Sequence, residues 1–183
     1  MPTILTHTAV PLALGIGLGA KCISRRLLAI GVAASMLPDV DVLGFRFNIA
    51  YTDTFGHRGV SHSLMFALMV AILASLFAKR LKTNGKNALL FVFVSCASHG
   101  LLDAFTNGGE GVALWWPFSN ARLFFPWRCI EVSPLNLHRV FSGRGLEVLQ
   151  SEFLRVWLPA MALCAVLYAL RRRYAPPAVS SAG

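Results

Sequence analysis

Five apolar segments, at residues 4–20, 27–37, 63–78, 88–105 and 153–170, dominate the chain and decide which solvent it folds in. A helix that crosses the hydrocarbon core of a bilayer needs roughly 20 apolar residues, within a range of about 17 to 25. The third, fourth and fifth segments are read as spans on their own. The second is short and is followed by Pro38, so it reaches full depth only with help from residues 40–47 or its neighbours. With 56% hydrophobic and 14% charged residues, the chain carries about half the charge of an ordinary soluble domain. So few charges cannot cover a water-soluble protein of 183 residues, and the same hydrophobicity excludes disorder. The expected fold is all-α, a polytopic membrane helical bundle of about five apolar helices with a long, partly irregular outer loop. One domain is expected over residues 1–174, with a disordered tail at 175–183.

The formal net charge is +9, yet the basic residues gather at the ends of the apolar runs and form no stripe interleaved with aromatics. A membrane protein distributes charge in this way, so the lipid bilayer is an expected partner and nucleic acid is not. Short turns carry Lys21, Arg25 and Arg26, then Lys79, Arg80, Lys82 and Lys86, and finally Arg171, Arg172 and Arg173. All eight acids, Asp39, Asp41, Asp53, Asp103, Glu110, Glu131, Glu147 and Glu152, lie at or near the longer connections, 39–62 and 106–152. The positive-inside rule makes the basic turns cytoplasmic, with the N-terminus outside, the C-terminus inside and the longer connections on the non-cytoplasmic face. Residues 1–8 contain no Lys or Arg, so the first run reads as a retained helix, not a cleaved signal. Gly15, Gly17 and Gly19 within it read as a close-packing surface. Cys22, Cys96, Cys129 and Cys164 have no C-x-x-C spacing and read as small buried hydrophobes, neither a disulfide framework nor a thiolate site.

On that map seven groups able to ligate a metal fall at one membrane face, from four separate stretches. His7 opens the first segment, Asp39 and Asp41 follow the second, His57 and His62 precede the third, and His99 and Asp103 lie in the outer half of the fourth; His138 stands apart. His99 and Asp103 are four residues apart and share a helix face. Ionisable groups in or near lipid cost several kcal/mol and mark function by default. Imidazole and carboxylate without thiolate suit Zn²⁺, with Mn²⁺, Fe²⁺ or Ni²⁺ also accommodated. His7, Asp39, His57, His62, His99 and Asp103 are the expected ligands of one or two such ions. A divalent ion lowers the pKa of its water to about 7 and supplies a nucleophile at neutral pH. An unligated carboxylate, Asp41 or Glu152, is then the expected general base or acid. Arg58 is expected to hold an anionic substrate group such as phosphate, or else to pair with Asp53. The aromatic and basic stretch from Trp115 through Arg122 to Arg128 reads as an interfacial cover over the site, with Arg122 a second substrate contact, or else as an aromatic belt with no substrate role.

Three motifs, His57-Arg58-Gly59-Val60-Ser61-His62-Ser63, Leu37-Pro38-Asp39-Val40-Asp41 and His99-Gly100-Leu101-Leu102-Asp103, together resemble the YdjM-type family. The segments Trp116-Pro117-Phe118-Ser119, Phe124-Phe125-Pro126-Trp127-Arg128, Val132-Ser133-Pro134-Leu135, Ser151-Glu152-Phe153 and Trp157-Leu158-Pro159 fit it too, so the resemblance covers nearly the whole chain. These are bacterial inner-membrane proteins described as membrane-bound metal-dependent hydrolases, some under SOS (LexA) control. The resemblance implies a distant likeness to the helical zinc phospholipase C and nuclease P1 enzymes, and with it a phospholipid or other phosphoester substrate. Ser61 stands where the family's His-Arg-x-x-Thr-His pattern has Thr. The two rivals to a hydrolase are a non-catalytic metal-binding or metal-transporting protein and a structural factor in membrane stress.

Overall fold

The computed structural model describes residues 1–133 and 143–174. The described residues are all-helical, with two isolated β-bridges, Thr106 to Ile130 and Val112 to Leu123. A 3₁₀ turn, Thr6–Thr8, leads into α1, Ala9–Leu18, and α2, Arg25–Met36, runs on into a 3₁₀ stretch, Leu37–Phe47. A second 3₁₀ turn, Val60–His62, precedes α3, Leu64–Leu76, and α4 is Gly85–Ala104. α5, Gly143–Glu152, passes through a π turn, Phe153–Trp157, into α6, Leu158–Arg173.

Each inner helix starts where its sequence supplies a cap. The side-chain oxygens of Ser24, Ser63 and Asn84 accept from the backbone N–H groups of Leu27, Phe66 and Asn87, at 3.1, 3.0 and 2.8 Å. α4 lies between α2 and α3, and α1 packs along α6. The core joins Leu27, Ala67, Ala71, Ala88, Phe91, Val92 and Cys96. The close-packing role expected of Gly15, Gly17 and Gly19 holds inside α1 for Gly15 and Gly17, whereas Gly19 ends the helix at φ 78°. A Cβ on Gly17 would sit 2.8 Å from Leu167 Cβ and 3.1 Å from the carbonyl oxygen of Cys164, neither of which can yield cheaply. Gly17→Ala is therefore expected to destabilise the α1–α6 contact by about 1–3 kcal/mol, read as a lowered thermal unfolding midpoint in detergent.

Among the described residues, three helical stretches are long and apolar enough to cross a membrane, Arg25–Phe47, Gly85–Ala104 and Arg144–Arg173, while Thr6–Leu18 and Leu64–Leu76 are shorter. The second apolar segment thus gains its length from the 3₁₀ extension, as anticipated. Pro38 is tolerated because it enters at the first turn of that extension. The third segment corrects the expectation. Its helix is only 13 residues: Ser63 caps it at the segment's first residue, and the chain leaves the helix after Leu76, before the segment ends at residue 78, and turns toward α4 with Lys82 at φ 52°. The fifth is longer than expected, beginning before residue 153. The cysteines also depart in part: Cys96 is buried, but Cys22 and Cys129 are exposed, and all four are free. The expected tail falls outside the described residues.

The basic turns meet at one end of the bundle. Arg26 donates to the carbonyl of Arg80 at 2.9 Å, Ser24 to that of Leu81, and Arg171 to that of Ile16 at 3.4 Å. The stretch around Trp115 is stitched over the opposite end. Ala113 N donates to the Arg58 carbonyl, Leu64 N to Leu114, Phe125 N to Ala104 and Ile130 N to Phe105. Trp115, Phe118 and Trp127 stay exposed on its outside, as rings at headgroup level would.

Candidate metal centre

Four elements converge beneath that cover. α4 presents His99 and Asp103 one turn apart on its buried face. His7, in the turn before α1, stacks its ring on His99 with centroids 3.6 Å apart. The 3₁₀ stretch after Pro38 brings Asp39 and Asp41, and the turn Val60–His62 brings His62. Gly100 makes this approach feasible, since a Cβ there would strike the carbonyl oxygen of His62.

His99 donates from Nδ1 to the carbonyl of Ser35 at 2.7 Å, which leaves its Nε2 as a lone pair aimed inward. It faces His62 Nε2 at 3.0 Å. Asp39 Oδ1 lies 3.3 Å from His99 Nε2 and 3.8 Å from His62 Nε2. Asp103 Oδ2 lies 3.4 Å from His62 Nε2, and its Oδ1 lies 3.7 Å from His7 Nε2. Ligands held about 2.0–2.1 Å from a tetrahedral Zn²⁺ stand about 3.3 Å from one another, so these separations are those of a coordination polyhedron's edges. Both ring nitrogens of His7 and all four carboxylate oxygens of Asp39 and Asp103 are buried with no hydrogen-bond partner. Leaving such groups unpaired costs about 1–3 kcal/mol each, more when charged. With neutral imidazoles, the Asp39, Asp41 and Asp103 carboxylates against the one Arg58 guanidinium leave a formal charge of −2. Orphaned oxygens, edge-length spacing and that charge all fit a divalent cation. Two adjoining groups could each hold one: His7, His99 and Asp103, and Asp39, His57 and His62.

Asp41 supports this cluster from behind. It accepts from His57 Nδ1 at 2.6 Å, Ser61 Oγ at 2.6 Å and Arg58 N at 3.2 Å, and lies 3.1 Å from His62 Nδ1. A carboxylate holding the outer nitrogens of two histidines turns their inner nitrogens toward an ion and fixes the tautomer. Burial alone would lower the pKa of His62, but the Asp103 and Asp41 carboxylates outweigh it and push it up to about 9.

All six expected ligands come together, but other expected site residues have different partners. Arg58 turns inward, fully buried, at φ 65°. Its Nε lies 3.0 Å from Asp103 Oδ2, an ion pair by distance but too bent for a hydrogen bond, and its Nη atoms donate to the Gly108 carbonyl and Thr106 Oγ1. It neither pairs with Asp53 nor reaches outward to a substrate. Arg122 donates to the carbonyls of His57, Tyr51 and Asp53, each at 2.9 Å, pinning the loop that carries His57. Glu152 is buried, but accepts from Thr3 and Thr6 hydroxyls at 2.7 Å each, locking α5 to the N-terminal turn. Asp41 has its oxygens occupied by donors, an arrangement suited to orienting histidines. Sequence reasoning missed Ser35, whose backbone carbonyl leaves no side-chain signal, and Thr106. Gly100, next to His99, was legible as a small residue beside a ligand. His138 and the Pro134-Leu135 motif lie outside the described residues.

A helical bundle with membrane-spanning helices and a buried His/Asp cluster under an irregular cover defines an integral membrane protein with a candidate metal centre. The chain belongs to the YdjM inner membrane protein family, which it matches over residues 1–175. It is 48% identical over 173 residues to inner membrane protein YbcI of Escherichia coli (strain K12), spanning 94% of this chain and 100% of that protein. It is 30% identical over 90 residues to the uncharacterized protein YvsG of Bacillus subtilis (strain 168), spanning 45% of this chain and 53% of that protein. No solved structure matches the chain, so the likeness to zinc phospholipase C and nuclease P1 rests on the resemblance alone.

Proposed function

We propose that this protein is a membrane-bound metal-dependent hydrolase whose centre is built on His7, Asp39, His57, His62, His99 and Asp103, with a phosphoester, phospholipids included, as substrate class. The observation that carries the reading is the meeting of His62 Nε2, His99 Nε2, Asp39 Oδ1 and Asp103 around one point, with both carboxylates otherwise unpartnered. Zn²⁺ is the ion that best suits the donor set, and Mn²⁺ or Fe²⁺ is accommodated by the same ligands. Such an ion, when bound, polarises a phosphoryl oxygen and activates water. The chain's own part is to orient the imidazoles through Asp41 and the Ser35 carbonyl, to balance Asp103 with Arg58, and to exclude bulk water beneath the 112–125 cover. Transport is disfavoured because the buried histidines and aspartates cluster at one end of the bundle, not along a path through it.

One observation favours a second reading, a structural metal site. His7, His57, His62 and His99 are at most 3% exposed, so a substrate reaches them only if the cover moves. Two measurements separate the readings. Metal analysis of the detergent-purified chain should find at least one zinc or similar ion per chain. Hydrolysis of a generic phosphodiester or of phospholipid micelles should accompany that metal and vanish on its chelation; bound metal without turnover supports the structural site. The proposed orientation predicts that a reporter fused after Lys82 is cytoplasmic and one after Glu110 is not.

Binding is also expected to depend on pH in a defined direction. Imidazole ligates only when deprotonated. Because His62 holds its proton up to about 9, the proton competes with the ion at every lower pH. Apparent zinc affinity should rise with pH toward 9 and fall roughly tenfold per unit below it for each proton displaced, as read by competition with a zinc-sensitive dye.

A further inference from the structure

We propose that the basic end of the bundle carries a binding site for the phosphate of an anionic lipid headgroup, formed by Lys21, Arg171 and Arg172 between α1 and α6. These residues, with Ala20 and Tyr168, line a cavity of about 370 Å³. The guanidinium of Arg171 stands over the Tyr168 ring at 5.0 Å and that of Arg172 at 5.3 Å, so two cations share one aromatic ring. Arg171 is anchored there. It reaches the Ile16 carbonyl, and it occupies the space that a side chain on Gly19, at φ 78°, would fill. Among the described residues, no carboxylate pairs with Lys21, Arg171 or Arg172, and the acids of the sequence lie toward the other end.

Three like charges brought together without a counter-ion repel, and a phosphodiester that accepts from both guanidinium forks removes that cost. The position decides between a lipid and a free anion. The cavity lies where α1 and α6 end, which the positive-inside reading sets at headgroup depth, and Ile16, whose carbonyl Arg171 reaches, and Leu170 are exposed at 55% and 46%, ready for acyl chains. A lipid satisfies both surfaces with one molecule, and free phosphate satisfies one.

Native mass spectrometry of the full chain, delipidated and then mixed with phosphatidylglycerol or phosphatidylcholine in micelles, tests the site. Each cation near a headgroup is worth about 1 kcal/mol, so each substitution should weaken phosphatidylglycerol binding roughly fivefold. Lys21→Gln with Arg172→Gln, two side chains with no hydrogen bond among the described residues, should weaken it about twenty-fivefold and leave phosphatidylcholine unaffected. Lys82→Gln with Lys86→Gln, on the neighbouring basic turn, should change it less than twofold. Equal loss in both pairs would mean diffuse attraction and would overturn the site. So would equal retention of the two lipids by the wild-type chain, or displacement of phosphatidylglycerol by millimolar inorganic phosphate, which would reveal a small-anion pocket.

Discussion

Asp103→Ala is expected to abolish metal retention and to destabilise the protein by about 3–5 kcal/mol, the cost of leaving one partner of a buried ion pair uncompensated. Both effects follow from one position. Asp103 offers Oδ1 toward His7 and Oδ2 toward His62, and it also faces Arg58, which is fully buried. The two roles separate in a double variant. Arg58→Leu with Asp103→Leu replaces the pair by apolar groups, so thermal unfolding in detergent should recover most of the lost stability. Metal content, measured by mass spectrometry of the purified chain, should stay at background. Metal retained in Asp103→Ala would remove this residue from the centre.

His62→Ala and His99→Ala are expected to weaken zinc binding by roughly a hundredfold each. A structural zinc site is worth about 10–16 kcal/mol, and one of four ligands carries about 3 kcal/mol of it. Asp41→Asn distinguishes the two roles open to that carboxylate. As the group that orients His57 and His62, its loss should cost between about 10- and 100-fold in metal affinity. As a general base its loss would leave affinity unchanged and remove only turnover. The number of donors already on Asp41 makes the first outcome the expected one, read by the same dye competition.

The cover over the centre explains how one site serves both readings of function. Backbone bonds from Ala113 to Arg58 and from Leu64 to Leu114 tie it to the very turn that carries His57 and His62. A substrate would have to loosen those bonds, whereas a structural ion would gain from them. Turnover is therefore the measurement on which the hydrolase reading depends.

Much of this was written along the chain. The apolar runs set an all-helical membrane bundle, because a helix satisfies its backbone groups within one continuous apolar run, whereas a barrel needs strands of alternating polarity. Runs of opposite charge character placed the polar residues at one end, and the spacing of His99 and Asp103 put them on one helix face. Helix lengths were less legible. The turn after Leu76 shortens α3 and the 3₁₀ stretch Leu37–Phe47 lengthens α2, and both depend on how chain turns dock, which hydropathy does not record. The roles of the charged groups were decided only in three dimensions. Arg58 faces Asp103, Arg122 holds three carbonyls, Glu152 holds two threonines and Asp41 backs the histidines, because each side chain bonds whatever the folded loops bring within about 3 Å. Periodicity and charge say which residues share an end of the bundle; the packing of loops distant in sequence says which atoms meet.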